Sequence, residues 1–311
     1  MNTQSQITND ERRVCNSRFA TRNSPAFSLV EVLIVITLLS LIVLALMQVF
    51  STTQRAFRAS VTQTDVLEGG RDAVDMIAQD LKQITPSGSY SNNAVNFFTL
   101  DNDYSPALGY SPLVQNLPGS GASWTNFLNY FFLLGRENTK WIGIGYAVNS
   151  TNITPLYPLY RFYEETNLAT SPGILLTNFL NIINQGLWTN GNMSHVLDGV
   201  VHLVVRADNP NGYSMTNTYQ FNGSQWVTNK NVRFYPPAWP GGVVGFSFYS
   251  NSVPAAVELQ IGILEDRPLT RAQSLPYGLP AQLNYLQQQS GHVHVFRQQV
   301  TIPNLDPTAY Q

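Results

Sequence analysis

The hydrophobic pattern changes character twice along this chain. Residues 1–26 are polar, with Arg12, Arg13, Arg18 and Arg22 set against Asp10 and Glu11. From Phe27 to Phe50 the sequence FSLVEVLIVITLLSLIVLALMQVF carries one charge, Glu31, and neither Gly nor Pro. At helical rise these residues reach roughly 36 Å, enough to cross a bilayer core. The run predicts a membrane-spanning helix over 27–50, its basic flank kept on the cytoplasmic side. The helix is expected to continue over 51–85. There Val74, Ile77, Leu81 and Ile84 recur at i, i+3, i+7 and i+10, an apolar stripe that predicts a core-facing surface. Gly69-Gly70 is expected to weaken or kink this helix, and Pro86-Ser87-Gly88 to end it.

From about Val95 short apolar runs alternate with Asn, Ser, Gly and Pro clusters, the signature of strands and turns. The predicted strands include Trp141–Val148, Leu156–Tyr163, Val200–Ala207, Tyr219–Phe221, Val243–Tyr249, Ala256–Leu264 and Val293–Thr301. Val201, Leu203 and Val205 alternate with His202, Val204 and Arg206, which predicts a half-buried strand. Gly173–Gly186 reads as a short amphipathic helix, and Asn102–Ala122 and Ser224–Gly242 as long irregular loops. The resulting expectation is an α+β chain, with a long N-terminal helix packed on antiparallel sheet.

Composition narrows the setting. Charged residues make up only 12% of the 311, and the formal net charge is −2. A polar but weakly charged surface suits an extracytoplasmic protein, and nothing in the overall charge calls for nucleic acid as partner. Only three lysines occur, and no basic cluster lies beyond the first 26 residues, so exposed aromatics would lack a cationic groove beside them. The single cysteine, Cys15, lies in the polar leader. If the chain is cut after Ala26, disulfide and thiolate chemistry leave with it.

Glu31 is the residue that decides the N-terminal reading. An acidic side chain inside a spanning segment costs about 2–3 kcal/mol at mid-membrane, less near its end, and calls for a partner. Four residues after a new N-terminus at Phe27, it is placed to pair with the α-ammonium group of a neighbouring subunit. The alternatives are a secretory signal peptide or a simple anchor. A signal peptide has a shorter apolar region with a small-residue cleavage site behind it, whereas Ala26 precedes the run here.

Pro25-Ala26-Phe27-Ser28-Leu29-Val30-Glu31 resembles the prepilin cleavage and methylation motif of type IV pilins and type II secretion pseudopilins. The resemblance implies cleavage between Ala26 and Phe27 by a membrane prepilin peptidase, N-methylation of Phe27, and guidance of filament assembly by Glu31. Ala26 stands where that family has Gly, a small-for-small change expected to slow processing. Further segments resemble the minor pseudopilin J of type II secretion: Arg71–Ile84 with its Asp80-Leu81-x-Gln83, Pro158-Leu159-Tyr160-Arg161-Phe162, Val196–Val205, Val253–Ile263, and Phe296-Arg297 through Ile302-Pro303. The chain is also similar to the Verru_Chthon cassette protein C family, and its long Asn-rich loops depart from the type II pattern.

These resemblances imply a pilin-like fold with two smaller sheets favoured over one. The expected organisation is a leader over 1–26, a transmembrane helix over 27–50, its continuation over 51–85 and a β-rich domain over 90–311. The expected role is a non-catalytic minor pseudopilin near a filament tip, beside I- and K-like subunits. It would be single-pass in a bacterial inner membrane, with its domain in the periplasm. The rival reading is a pilin-like adhesin or cargo-binding module.

Candidate chemistry elsewhere is sparse. The sequence has no G-x-S-x-G, Walker A, H-E-x-x-H or dinucleotide fingerprint. His292-x-His294 would place both imidazoles on one strand face, but the expectation for these, as for His195 and His202, is a surface or edge-strand position. No cofactor is expected. Calcium is the one ion with a candidate, at Asp101 and Asp103, which lack the rest of a calcium loop. Asp208-Asn209-Pro210-Asn211-Gly212 reads as a turn. Asn149, Asn192 and Asn222 begin N-x-S/T sequons of the kind an Asn-rich chain yields by chance. Trp124, Trp141, Trp188, Trp226 and Trp239 are expected to pack or to anchor loops.

Overall fold

The structure, a computed structural model, describes residues 28–88, 94–102, 112–151, 156–215, 219–221, 226–228, 231–237, 242, 244–276 and 280–310. Contacts divide the chain into two compact units, residues 1–57 and 58–311. Helix α1 (Leu29–Leu81) is the longest element, with 53 residues. In the first unit its described side chains, Leu29 to Phe57, all face outward, and most are large and apolar. Thr37, Ser40, Thr52 and Thr53 hydrogen-bond to carbonyls three or four residues back, so their hydroxyls are satisfied within the helix itself.

The second unit holds the last turns of α1 and, among the described residues, all the strands. In chain order these are β1 (Val95–Asp101), β2 (Leu113–Asn116), β3 (Ser123–Asn126), β4 (Asn129–Glu137), β5 (Lys140–Val148) and β6 (Leu159–Asn167). After helix α2 (Gly173–Gln185) come β7 (Met193–Leu197), β8 (Val200–Asp208), β9 (Tyr219–Phe221), β10 (Trp226–Thr228), β11 (Val232–Tyr235), β12 (Gly245–Tyr249) and β13 (Ala256–Leu264). Helices α3 (Asp266–Gln273) and α4 (Pro280–Gln287) precede the closing strand β14 (Val293–Thr301). Seven strands form an antiparallel sheet in the order β11-β12-β1-β4-β5-β6-β7, and three form a second in the order β14-β13-β8. Two further hairpins are β2–β3 and β9–β10. A parallel bridge between Leu128 and Leu203 ties the two larger sheets together.

The predicted stripe Val74, Ile77, Leu81 and Ile84 is buried, with Val66 of the same helix, in one core with Phe131 and Ile144 of the larger sheet and Leu259, Ile261 and Ile263 of the smaller. The other face of the larger sheet is covered by α2 through Leu175, Phe179, Ile182 and Ile183. A Cβ at Gly145 would stand 2.5 Å from the Phe179 ring, so β5 admits α2 only because that position is bare. A third cluster gathers Leu269 and Ala272 of α3, Leu286 of α4, and Val201 and Leu264.

Helix α1 runs through Gly69-Gly70, the pair expected to weaken or kink it. Tertiary packing outweighs the roughly 1 kcal/mol propensity cost of each glycine, because a Cβ at Gly70 would lie 2.3 Å from the Phe296 ring. Strand β8 is buried along both faces rather than half-buried, with one side on the α1 core and Val201 on the α3–α4 cluster. The two supposed loops contain strands: β2 lies within 102–122, and β10 and β11 within 224–242. Strands β1 and β4 fall outside the predicted set. Each is central and apolar on successive residues, so neither shows period-two alternation.

Candidate assembly and seating sites

The N-terminal site begins at Glu31 in the first turn of α1, where its carboxylate accepts the Ser28 N–H at 2.9 Å. Ala26 and Phe27 lie outside the described residues.

The seat of α1 in its own unit rests on two contacts. At Gly70 the helix backbone meets Phe296 of β14 and Ile263 of β13, both closer than a side chain would allow. Three turns later Asp80 is buried against the larger sheet. It accepts hydrogen bonds from Arg161 Nε at 2.7 Å and Nη2 at 3.0 Å, and a further one from the Tyr146 hydroxyl. The Arg161 and Asp80 side chains are 23% and 7% exposed. Burial and the adjoining Asp80 carboxylate push the Tyr146 hydroxyl far above its ordinary range. Burial opposes the charge of Arg161, but the Asp80 bonds outweigh it and hold the guanidinium protonated. These two residues come from two of the segments singled out in the sequence, Asp80-Leu81-x-Gln83 and Leu159-Tyr160-Arg161. The structure joins those segments in one ion pair. Tyr146, the third member, was not singled out; its only sequence signal is a polar aromatic within an apolar strand.

The helix end is also tied down. Ile84 bridges to Gly135, and Asn304 donates from Nδ2 to the Ile84 carbonyl at 2.9 Å.

The histidines divide. His292 Nδ1 and His294 Nε2 each lie 2.9 Å from a different oxygen of Glu265. Burial works to raise the Glu265 pKa, but bonds from His294 and His292 outweigh it and hold the carboxyl below its usual range. Among the described residues no group of three or more His, Cys, Asp or Glu is arranged to hold a metal ion. His195 is half exposed, with Nε2 2.6 Å from Asp198. His202 lies on β8, an edge strand of the smaller sheet, as one of the two expected positions allowed, but it is not at the surface. It is 3% exposed on β8, its Nδ1 accepts the Phe127 N–H at 3.2 Å, and burial depresses its pKa to about 4. The shift comes from removing a titratable ring from water, which disfavours the cation.

Asp101 is buried at the end of β1 and accepts from Asn129 Nδ2, while Asp103 lies outside the described residues. The segment 208–212 is the expected turn: Asn209 Oδ1 accepts the N–H groups of Asn211 and Tyr213, and Gly212 has φ of 77°. Asn149 is buried, its Oδ1 taken by Thr151; Asn222 lies outside the described residues. Trp141 packs beside Arg136, and Trp188 stacks on Tyr160 at 5.1 Å. Trp124 is partly exposed over His202, and the side chains of Trp226 and Trp239 are not described.

An apolar N-terminal helix long enough to span a membrane, with antiparallel sheets behind it, is the α+β architecture of a pilin-like protein. Residues 21–47 match the family model described as the prokaryotic N-terminal methylation motif, so the chain is type IV pilin-like, with a prepilin-type, membrane-anchoring N-terminus. Such a motif implies processing by a prepilin peptidase. No curated protein and no solved structure matches the chain.

Proposed function

We propose that this protein is a minor pseudopilin of J-like type, a structural and non-catalytic subunit near the tip of a type II secretion-like or pilus-like filament. The observation that carries the reading is the methylation motif over 21–47, set on a helix whose described side chains from Leu29 to Phe57 are exposed and mostly apolar. In this reading residues 1–26 are removed, Phe27 becomes the methylated N-terminus, and 27–50 span the inner membrane once. The domain over 90–311 then stands in the periplasm, beside I- and K-like subunits. Glu31 meets the α-ammonium group of a neighbour during assembly, as a membrane carboxylate requires a cationic partner. The J-like assignment draws support from the Asp80–Arg161 pair, which joins two of the segments that carry that resemblance. Calcium near Asp101 and Asp103 is a subsidiary proposal, tested by calorimetric titration of the ion.

The test is the N-terminus of the protein taken from membranes of its own host, read by mass spectrometry. A chain beginning with N-methylated Phe27 is expected. An intact leader, or a cut behind the apolar run, would overturn the reading and leave an anchored or secreted β-rich domain.

A further inference from the structure

Two reciprocal hydrogen bonds close the first turn of α1. The Ser28 N–H donates to Glu31 Oε2 at 2.9 Å, and the Glu31 N–H donates to Ser28 Oγ at 3.3 Å. The Ser28 carbonyl accepts the Val32 N–H at 3.3 Å, which makes Ser28 the N-cap and Glu31 the third residue of the helix. This is a capping box, in which cap and acid each satisfy a backbone donor that the helix leaves open.

We infer that Ser28 is a positioning residue for Glu31, the acid on which the proposed assembly depends. The inference rests on that reading. A free glutamate side chain at the end of a membrane helix would sample several rotamers, and an unsatisfied N–H beside hydrocarbon is costly. The box removes both problems within one subunit. It holds the carboxylate back toward the start of the helix, the end at which cleavage before Phe27 would create the new amino group. Oε2 is engaged by Ser28, and among the described residues Oε1 accepts no hydrogen bond. An ionised carboxylate oxygen offers further lone pairs, so Oε1 is left to receive a donor from a second chain. The lone subunit thus keeps its acid satisfied while presenting it in a fixed direction.

The experiment compares Ser28→Ala, Ser28→Thr, Glu31→Ala and the Ser28→Ala/Glu31→Ala double variant as full-length chains in the host. The fraction of processed protein recovered with filaments is measured, and processing is read separately by mass spectrometry. Ser28→Ala is expected to lower incorporation roughly three- to tenfold, the scale of a lost helix cap. Ser28→Thr should restore it, and the double variant should be no worse than Glu31→Ala alone. Hydrogen exchange of the detergent-solubilised protein supplies a readout independent of processing, since the Glu31 amide should exchange faster in Ser28→Ala. Wild-type incorporation in Ser28→Ala, a loss that multiplies with that of Glu31→Ala, or unchanged exchange would overturn the role of Ser28. Full incorporation of Glu31→Ala would instead overturn the assembly reading itself.

Discussion

Removing Arg161 tests how α1 is held on the larger sheet. The Asp80 carboxylate is 7% exposed and takes two hydrogen bonds from the Arg161 guanidinium and one from Tyr146. Arg161→Ala would leave a buried charge whose remaining described side-chain partner is a neutral hydroxyl. Breaking a buried ion pair from one side costs about 3–5 kcal/mol. Arg161 is itself 23% exposed, so water reaches part of the gap and the lower end, about 3 kcal/mol, is expected. For a domain of this size that corresponds to a fall in Tm of roughly 6–12 °C. The assay is thermal and urea unfolding of the detergent-solubilised chain, followed by tryptophan fluorescence. A Tyr146→Phe variant should cost about 1 kcal/mol, the net worth of one hydrogen bond. Replacing both ions, as Asp80→Leu with Arg161→Met, should recover most of the loss, because an apolar pair of similar volume avoids the desolvation. If Arg161→Ala costs under 1 kcal/mol, or the apolar pair is as unstable as the single variant, the pair does not hold the helix.

Three further outcomes follow from the same geometry. His202 has a folded pKa of about 4 against an unfolded 6.5, so the unfolded chain binds more protons between those values. Stability should therefore fall as pH drops from about 6.5 to 4, by up to about 3 kcal/mol, and His202→Phe should flatten that slope in pH-dependent urea unfolding. Gly70→Ala should lower Tm despite a propensity gain of about 1 kcal/mol, since its Cβ would meet Phe296 at 2.3 Å; Phe296→Leu should relieve the loss. Glu265→Gln should cost about 1 kcal/mol at neutral pH and less in acid. The lowered Glu265 pKa contributes stability above its ordinary value that is lost as pH falls through the depressed one.

The parts of this fold legible in the sequence are those where one face is apolar and the other is not. The stripe from Val74 to Ile84 announced its burial, and β13 and β14 were found with their observed limits. Strands β1 and β4 were hidden because they pack on both faces: Phe97, Phe131 and Leu133 face the α1 core, while Phe98, Phe132 and Leu134 face α2. The packing role of Gly70 was hidden for a related reason. A helix-breaking glycine and a glycine that admits a neighbouring ring look alike until the ring is known, and Phe296 is far away in sequence. The buried state of His202 was equally invisible, since it depends on a hairpin laid over β8 by Trp124. At the N-terminus Glu31 was readable from its charge alone, but its bond to Ser28 required the helix to start where it does.

The closing strand sets the timing of the fold. β14 forms one edge of the smaller sheet, its Phe296 ring seats the helix at Gly70, and Asn304 reaches back 220 residues to cap the carbonyl of Ile84. Tyr310 then closes on the Val253 carbonyl. None of these ties can form until β14 and the residues that follow it have been made. The helix must wait for Asn304, 220 residues further along the chain, before its seat is complete. The unit is therefore incomplete until β14 is in place. Its sheets and exposed apolar stripe need shielding through that interval, and a nascent chain stalled before residue 293 should be the form most open to proteases.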